Sequence, residues 1–353
     1  MHFRGIGTAT PATRYTQQQC LAAFRASGWY GRLDAHAHLV AGTVLQHDNG
    51  IDARWLALDS IDEAFTIEPD VLARRFLAHA PALAAQAARN ALVDAALAPG
   101  DIGAVVVSTC TGYLCPGLSG YVVERLGLRA DVQALDLVGQ GCAAALPNLR
   151  LCRSLLAGEA CEHVLSVCVE VSSAAMYLDN DPGVLVSACL FGDGAGAAVV
   201  SRQAGRGGRR IEWTDATSLI DPARRSALMF EQRDGMLRNI LTRAVPVMAA
   251  RYAQHVLGEV LGRAGLDRTD VSTWIMHPGG RDVLVELVRQ LDLSAADLRY
   301  STAVLREYGN LSSASVYFVL AAALADAAPS GWWWLSSFGA GFACHGALLR
   351  VEH

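Results

Sequence analysis

Three residues far apart in the chain are of the types that thioester chemistry needs: Cys142 in GQGCAAALPNLR, His277 in MHPGG and Asn310 in YGNLSSAS. A cysteine attacks as its thiolate, which a helix N-terminus or a nearby histidine favours. Histidine and amide N–H groups can hold the negative charge that builds on a thioester or enolate oxygen. Gly139 and Gly141 precede the cysteine, and the segment after it predicts a helix to Ala157 capped by Gly158. Pro147, close to the start of that helix, predicts a kink or a distorted first turn. Cys142 alone could be one more buried thiol, but the glycine bracket sets it apart from the other cysteines. His277 closes the apolar run STWIM before Pro278, Gly279 and Gly280, at the strand end where α/β folds place working groups. Asn310, taken alone, is equally an N-cap for the helix predicted in SASVYFVLAAALA.

Two other clusters carry less. Asp34, His36 and His38 in DAHAH superficially match the paired histidines of a metal hydrolase. The remaining histidines lack ligand spacing, so an exposed helix face is expected and no metal. Gly192, Gly194 and Gly196 give half of a dinucleotide fingerprint, but an apolar strand rather than a helix follows, so they are expected to serve as a structural turn.

The elements that must position these residues belong to a well-buried α/β chain. Of its 353 residues 52% are hydrophobic and 18% charged, and a net charge of -5 gives no reason to expect nucleic acid or an anionic membrane. All 29 basic side chains are Arg. The lack of lysine excludes Schiff-base chemistry, pyridoxal phosphate attachment and a P-loop. Nine scattered cysteines with no CxxC pair, and no signal peptide, predict a reduced cytoplasmic protein. The longest apolar stretch, 315–328, is too short for a bilayer span.

Residues 102–108, 164–171 and 332–337 are expected as buried strands and 69–97 as a long helix. The chain also repeats itself. LFGDGAGAAVVSR at 190–202 parallels SFGAGFACHGALLRV at 337–351, residues 103–117 parallel 271–280, and the cysteine segment parallels 308–320. Two duplicated halves, 1–205 and 206–353, are expected, joined by the polar stretch 201–210 as a surface loop. The first half carries the nucleophile and the second the histidine and asparagine, so the duplication can bring them to one centre.

Taken in order, FRGIGTATP, the cysteine segment, LFGDGAGAA, WIMHPGG, YGNLSSAS and SSFGAGFACHGALL resemble the type III polyketide synthases, the chalcone-synthase-like branch of the thiolase superfamily, over essentially the whole chain. The resemblance implies a layered αβαβα thiolase fold, usually a homodimer, with Cys142, His277 and Asn310 as catalytic residues. It implies CoA thioesters as substrates, with no cofactor: an acyl-CoA starter held on Cys142, extended with malonyl-CoA by decarboxylative condensation while protonated His277 and Asn310 stabilise the enolate. Phe191 matches one of two gatekeeper phenylalanines, and the other falls at Asn239, a more polar or wider passage. Cavity positions fall on Cys110, Thr111, Ser172, Ala175 and Ser312, with Ala175 suggesting extra room. Cys115 matches the residue that reaches into the partner's cavity.

With no lysine to meet the CoA phosphates, Arg54 and Arg281 are the candidates, with Gly279 and Gly280 beside the latter. The short N-terminus and GMLRNIL are similar to bacterial enzymes that make alkylresorcinols or alkylpyrones from fatty acyl starters. Alternatives are synthesis of dihydroxyphenylacetyl-CoA from malonyl-CoA alone, a fatty-acid ketoacyl synthase III, a cysteine thioester hydrolase, and a non-catalytic scaffold. Pro-Gly-Gly after His277, where ketoacyl synthases typically have Gln-Ala-Asn, favours the polyketide family. An acyl carrier protein is a further possible partner.

Overall fold

The computed structural model describes residues 1–46, 49–159, 161–205 and 209–352. The first half comprises β1 (His2–Ala9), β2 (Arg14–Thr16), α1 (Gln17–Ala26), α2 (Ala35–Gln46), β3 (Ala53–Trp55), α3 (Pro69–Ala95), β4 (Ala104–Thr109), α4 (Leu118–Leu126), β5 (Gln133–Val138), α5 (Ala145–Ala157), β6 (His163–Glu170), α6 (Pro182–Leu190) and β7 (Gly194–Ser201). The second comprises β8 (Arg210–Ile220), β9 (Leu228–Arg233), β10 (Met236–Leu241), α7 (Val245–Ala264), β11 (Val271–Met276), α8 (Arg281–Leu291), α9 (Arg299–Tyr308), α10 (Ser315–Ala325), β12 (Gly331–Gly339) and β13 (Ala343–Glu352). The three strands and the long helix expected from periodicity appear as β4, β6, β12 and α3, with ends shifted by a residue or two.

The main sheet runs β11-β12-β13-β8-β1-β7-β6-β4-β5. Its two parts carry one topology. In the first, β4 and β6 are parallel while β6–β7 and β7–β1 are antiparallel. In the second, β11 and β12 are parallel while β12–β13 and β13–β8 are antiparallel. The parts join at β1 and β8, where His2 pairs with Glu212 and Phe3 with Ile211 and the Trp213 N–H donates to the Met1 carbonyl. α5 and α10 pack on strands of both parts, α3 and α4 cover the outer face of the first, and α7 covers the outer face of the second with α8 packed beside it. The five layers are therefore αβαβα, and three large apolar clusters fill the spaces between them.

Close packing explains several small residues. Gly5 and Gly7 on β1 face the alanine stripe of α3; a Cβ on Gly7 would lie 2.1 Å from the Ala87 carbonyl oxygen. Gly194 and Gly196 lie within β7, where a Cβ on Gly196 would meet the Tyr317 Cβ at 2.5 Å. Their role is steric. Asp34 accepts a hydrogen bond from the Ala37 N–H at 2.8 Å near the start of α2, His38 stacks on Tyr30, and His36 is exposed. Residues 202–205 form no regular structure after β7, and 206–208 of the expected joining loop lie outside the described residues. None of the nine cysteines is paired. No helix among the described residues is long and apolar enough to cross a membrane.

Candidate active site

Cys142 sits in a 3-10 turn, Gly141–Ala143, that leads into α5. Gly139 and Gly141 take positive φ values of 80° and 54°, which glycine adopts without a Cβ penalty. Pro147 stands in the first turn of α5, where its missing N–H costs little; the distortion expected there takes the form of the 3-10 turn before the helix. The duplicate half repeats the device: a 3-10 turn, Ser312–Ala314, leads into α10. The two turns meet, and the Ser312 hydroxyl donates to the Cys142 sulfur at 3.2 Å.

Asn310 lies just before the second turn and is 3% exposed. Its Oδ1 accepts from the Ser312 N–H at 2.8 Å and its Nδ2 donates to the Gly279 carbonyl at 3.1 Å. Asn310 therefore braces the entry to the short turn, whose capping position is Leu311, and does not cap α10, whose capping residue is Ala314. Its backbone pairs with the Phe191 segment: the Asn310 N–H donates to Leu190 and its carbonyl accepts from Gly192.

His277 follows β11, with its N–H donating to Ser336 on β12 at 2.9 Å. The ring is 1% exposed, packs edge-on against Phe338 with centroids 5.0 Å apart, and has no hydrogen-bond partner on either nitrogen among the described residues. Packing alone holds it, and two buried polar atoms are left free for chemistry. Gly279 donates to the His277 carbonyl and accepts from Asn310, so the histidine loop, the amide and the Ser312 turn form one connected unit reaching Cys142.

Burial pushes the Cys142 thiol up to about 12, with the Ser312 hydroxyl acting the other way, and holds His277 down at about 3. Both are uncharged near neutral pH. The family resemblance implies a protonated imidazole; burial works against that charge here, and no hydrogen bond to the ring among the described residues offsets it.

A cavity opens on the nucleophile. Cys142, Cys110, Thr111, Ser172, Ala175, Phe191, Asn239 and Ser312 all line it. Cys115 does not; it is exposed, before a cis peptide bond to Pro116. Arg281 is exposed on the first turn of α8, beside Gly279 and Gly280, and pairs with Asp282. Arg54 is corrected. It is 4% exposed and donates to the carbonyls of Ala188 and Phe191, so it braces the end of α6 inside the protein instead of meeting phosphates at the surface.

Sequence reasoning missed Glu170. This fully buried carboxylate accepts hydrogen bonds from the Cys110 N–H at 3.0 Å, from the Thr111 hydroxyl at 3.0 Å and from the hydroxyls of Ser312 and Ser313. Burial raises its pKa while these donors lower it. A charged residue inside the apolar run VLSVCVEV was the available signal. The α6 and β9 wall, with Val184, Ser187, Leu228 and Phe230, was missed as well. A second, mostly apolar cavity lies between α1, α2 and α6 and shares the lining residues Leu56, Met176 and Ala188 with the first.

Comparison with known proteins agrees along the length of the chain. Residues 63–212 match the family described as FAE1/Type III polyketide synthase-like protein, and residues 216–351 match the chalcone and stilbene synthases, C-terminal domain. A 3,5-dihydroxyphenylacetyl-CoA synthase of Amycolatopsis balhimycina is 31% identical, covering 90% of this chain and 83% of its own. An alpha-pyrone synthesis polyketide synthase-like protein of Mycobacterium tuberculosis is 29% identical over 76% of this chain and 71% of its own. Among solved structures, PKS-I of the brown alga Ectocarpus siliculosus superposes with a TM-score of 0.88 at 27% identity, over 99% of this chain and 97% of that one.

Proposed function

The chain belongs to the type III polyketide synthase family, condensing acyltransferases with the thiolase fold, and from that premise we propose that it loads a fatty acyl group from CoA onto Cys142, extends it with malonyl-CoA and cyclises the product to an alkylresorcinol or alkylpyrone. In this reading the Cys142 sulfur attacks the acyl carbonyl, its proton passes to His277, and CoA leaves as the protonated thiol. Malonyl-CoA then loses CO₂, and the electron pair of the broken bond becomes an enolate. One amide hydrogen of Asn310 is engaged by Gly279 and the other remains for the enolate oxygen, together with a ring N–H of His277. Each such donor contributes about 3 kcal/mol to a developing oxyanion. The enolate carbon attacks the Cys142 thioester, and the sulfur leaves as the extended chain forms.

The observation that carries the fatty acyl reading is the second cavity. Its lining is mostly apolar, and Leu56, Met176 and Ala188 form the wall it shares with the first, so in this reading a shift of those side chains gives a tail longer than the first cavity a dry space to enter. Gly279, Gly280 and Arg281, at the N-terminus of α8, are the CoA phosphate contacts of this reading. A homodimer belongs to it too, with the edge strand β5 exposing Leu135 and Val138, and with Tyr113 and Cys115 exposed in the loop after β4.

The test is incubation with acyl-CoAs of graded length and labelled malonyl-CoA. Products from starters longer than acetyl are expected. Failure with every such starter overturns the reading, and a product from malonyl-CoA alone moves it to the dihydroxyphenylacetyl-CoA type. Cys142→Ala should lose product formation by at least roughly a thousandfold. Cys142→Gln should lose condensation yet keep some CO₂ release, since His277 and Asn310 stay in place.

A further inference from the structure

One wall of the catalytic cavity is a hairpin that the main sheet does not hold. β9 and β10 pair only with each other among the described strands, yet they supply Leu228, Met229, Phe230 and Asn239 to the lining. Facing them is α6, which supplies Val184, Ser187 and Ala188 and ends at Phe191. The width of the chamber is thus the spacing between hairpin and helix.

Three fastenings set that spacing. Asn239 donates to the Ser187 hydroxyl at 3.1 Å inside the cavity. The Leu241 carbonyl approaches Gly183 so closely that a Cβ there would lie 2.2 Å from the oxygen. The third is Arg238, adjacent to Asn239 on β10 and therefore directed to the opposite face. Its Nε donates to Asp179 at 2.8 Å, its Nη2 to Asp181 at 3.2 Å and its Nη1 to Glu231 at 3.0 Å. Asp181 is also the N-cap of α6, accepting from the N–H groups of Gly183 and Val184, and Glu231 is the cross-strand partner of Arg238. One guanidinium, 8% exposed, ties both strands of the hairpin to the start of the helix.

We propose that Arg238 is a positioning residue that sets the width of the chamber and so the lengths of chain that the enzyme accepts and releases; this rests on the reading of the cavity as the acyl and polyketide chamber. The physical reason lies in the charges. Without the guanidinium, two carboxylates on the helix side face one on the hairpin side, and like charges push the two elements apart. Lysine cannot replace the planar fork, because a single ammonium lacks the three donor directions used here.

The experiment compares wild type, Arg238→Met and Asp179→Asn on the same ladder of acyl-CoA starters with labelled malonyl-CoA. Arg238→Met should shift the product ratio towards longer starters or more extensions by roughly threefold or more. Its CO₂ release from malonyl-CoA should stay within about twofold of wild type. Asp179→Asn, which removes one arm of the fork, should move the ratio the same way by less. An unchanged ladder in the folded variants, or an equal loss across all starters, overturns the assignment. If Arg238→Met does not fold, Asp179→Asn decides alone. A wild-type enzyme that extends no acyl starter refutes the fatty acyl function itself, whereas an active wild type with an unmoved ladder refutes only the role of Arg238.

Discussion

Cys142 and His277 are both held uncharged by burial, and each has a pH signature. With a thiol near 12, the thiolate fraction of Cys142 grows with every step in pH through the accessible range. Alkylation of Cys142 by iodoacetamide should therefore rise about tenfold per pH unit from 7 to 10 without a plateau; a plateau near neutrality would instead reveal a preformed ion pair with His277. The histidine bears on stability. Its folded pKa of about 3 lies below the ordinary value of 6.5, so the unfolded chain binds the proton first. Its contribution is complete above pH 6.5 and is lost as the pH falls towards 3, amounting to about 2 kcal/mol lost by pH 5. Urea unfolding between pH 7 and 5 should show a smaller loss in His277→Gln than in wild type. An equal loss would place the acid sensitivity elsewhere, with buried His345, lowered to about 4 by burial and by Arg150, as the first alternative.

Among the elements, α3 and β1 show how close packing is written into small residues. A Cβ on Gly7 would run into the backbone of α3, so Gly7→Ala should destabilise the protein by about 2 kcal/mol or more; an unchanged thermal midpoint would mean that the helix can shift outward at little cost. Periodicity made α3, β4, β6 and β12 visible in advance, whereas β1 and the close approach that Gly5 and Gly7 allow depend on contacts between segments far apart in the chain. The two 3-10 turns in front of α5 and α10 were legible as a repeated motif, and their meeting at Ser312 and Cys142 follows from the duplication. Arg54 was misread because a short strand does not reveal which face turns inward, and Ala188 and Phe191, whose carbonyls hold it, lie far along the chain. The hairpin wall escaped notice for a similar reason. Its side chains come from dispersed positions whose common feature is a shared space, not a spacing.

At the scale of the whole molecule, two similar half-sheets share one middle layer, and among the described residues the sheet joins them through a short run of pairing between β1 and β8. The packing of α5 and α10 between the halves therefore unites them. The far edge, β5, is mostly exposed along its length and carries Leu135 and Val138 outward. An open apolar edge of this kind is suited to pairing with the second copy that the proposed homodimer requires. Sedimentation should give about twice the 37.5 kDa of the chain, and Val138→Asp should shift the protein towards the monomer; a wild-type monomer at micromolar concentration would contradict the homodimer. The bridge between Phe191 and Asn310 is made by main-chain hydrogen bonds. A lineage of such enzymes can exchange the ring at position 191 for a smaller or more polar side chain while the amide it braces stays where it is. Substrate preference is then free to drift under mutation, and turnover is shielded from that drift.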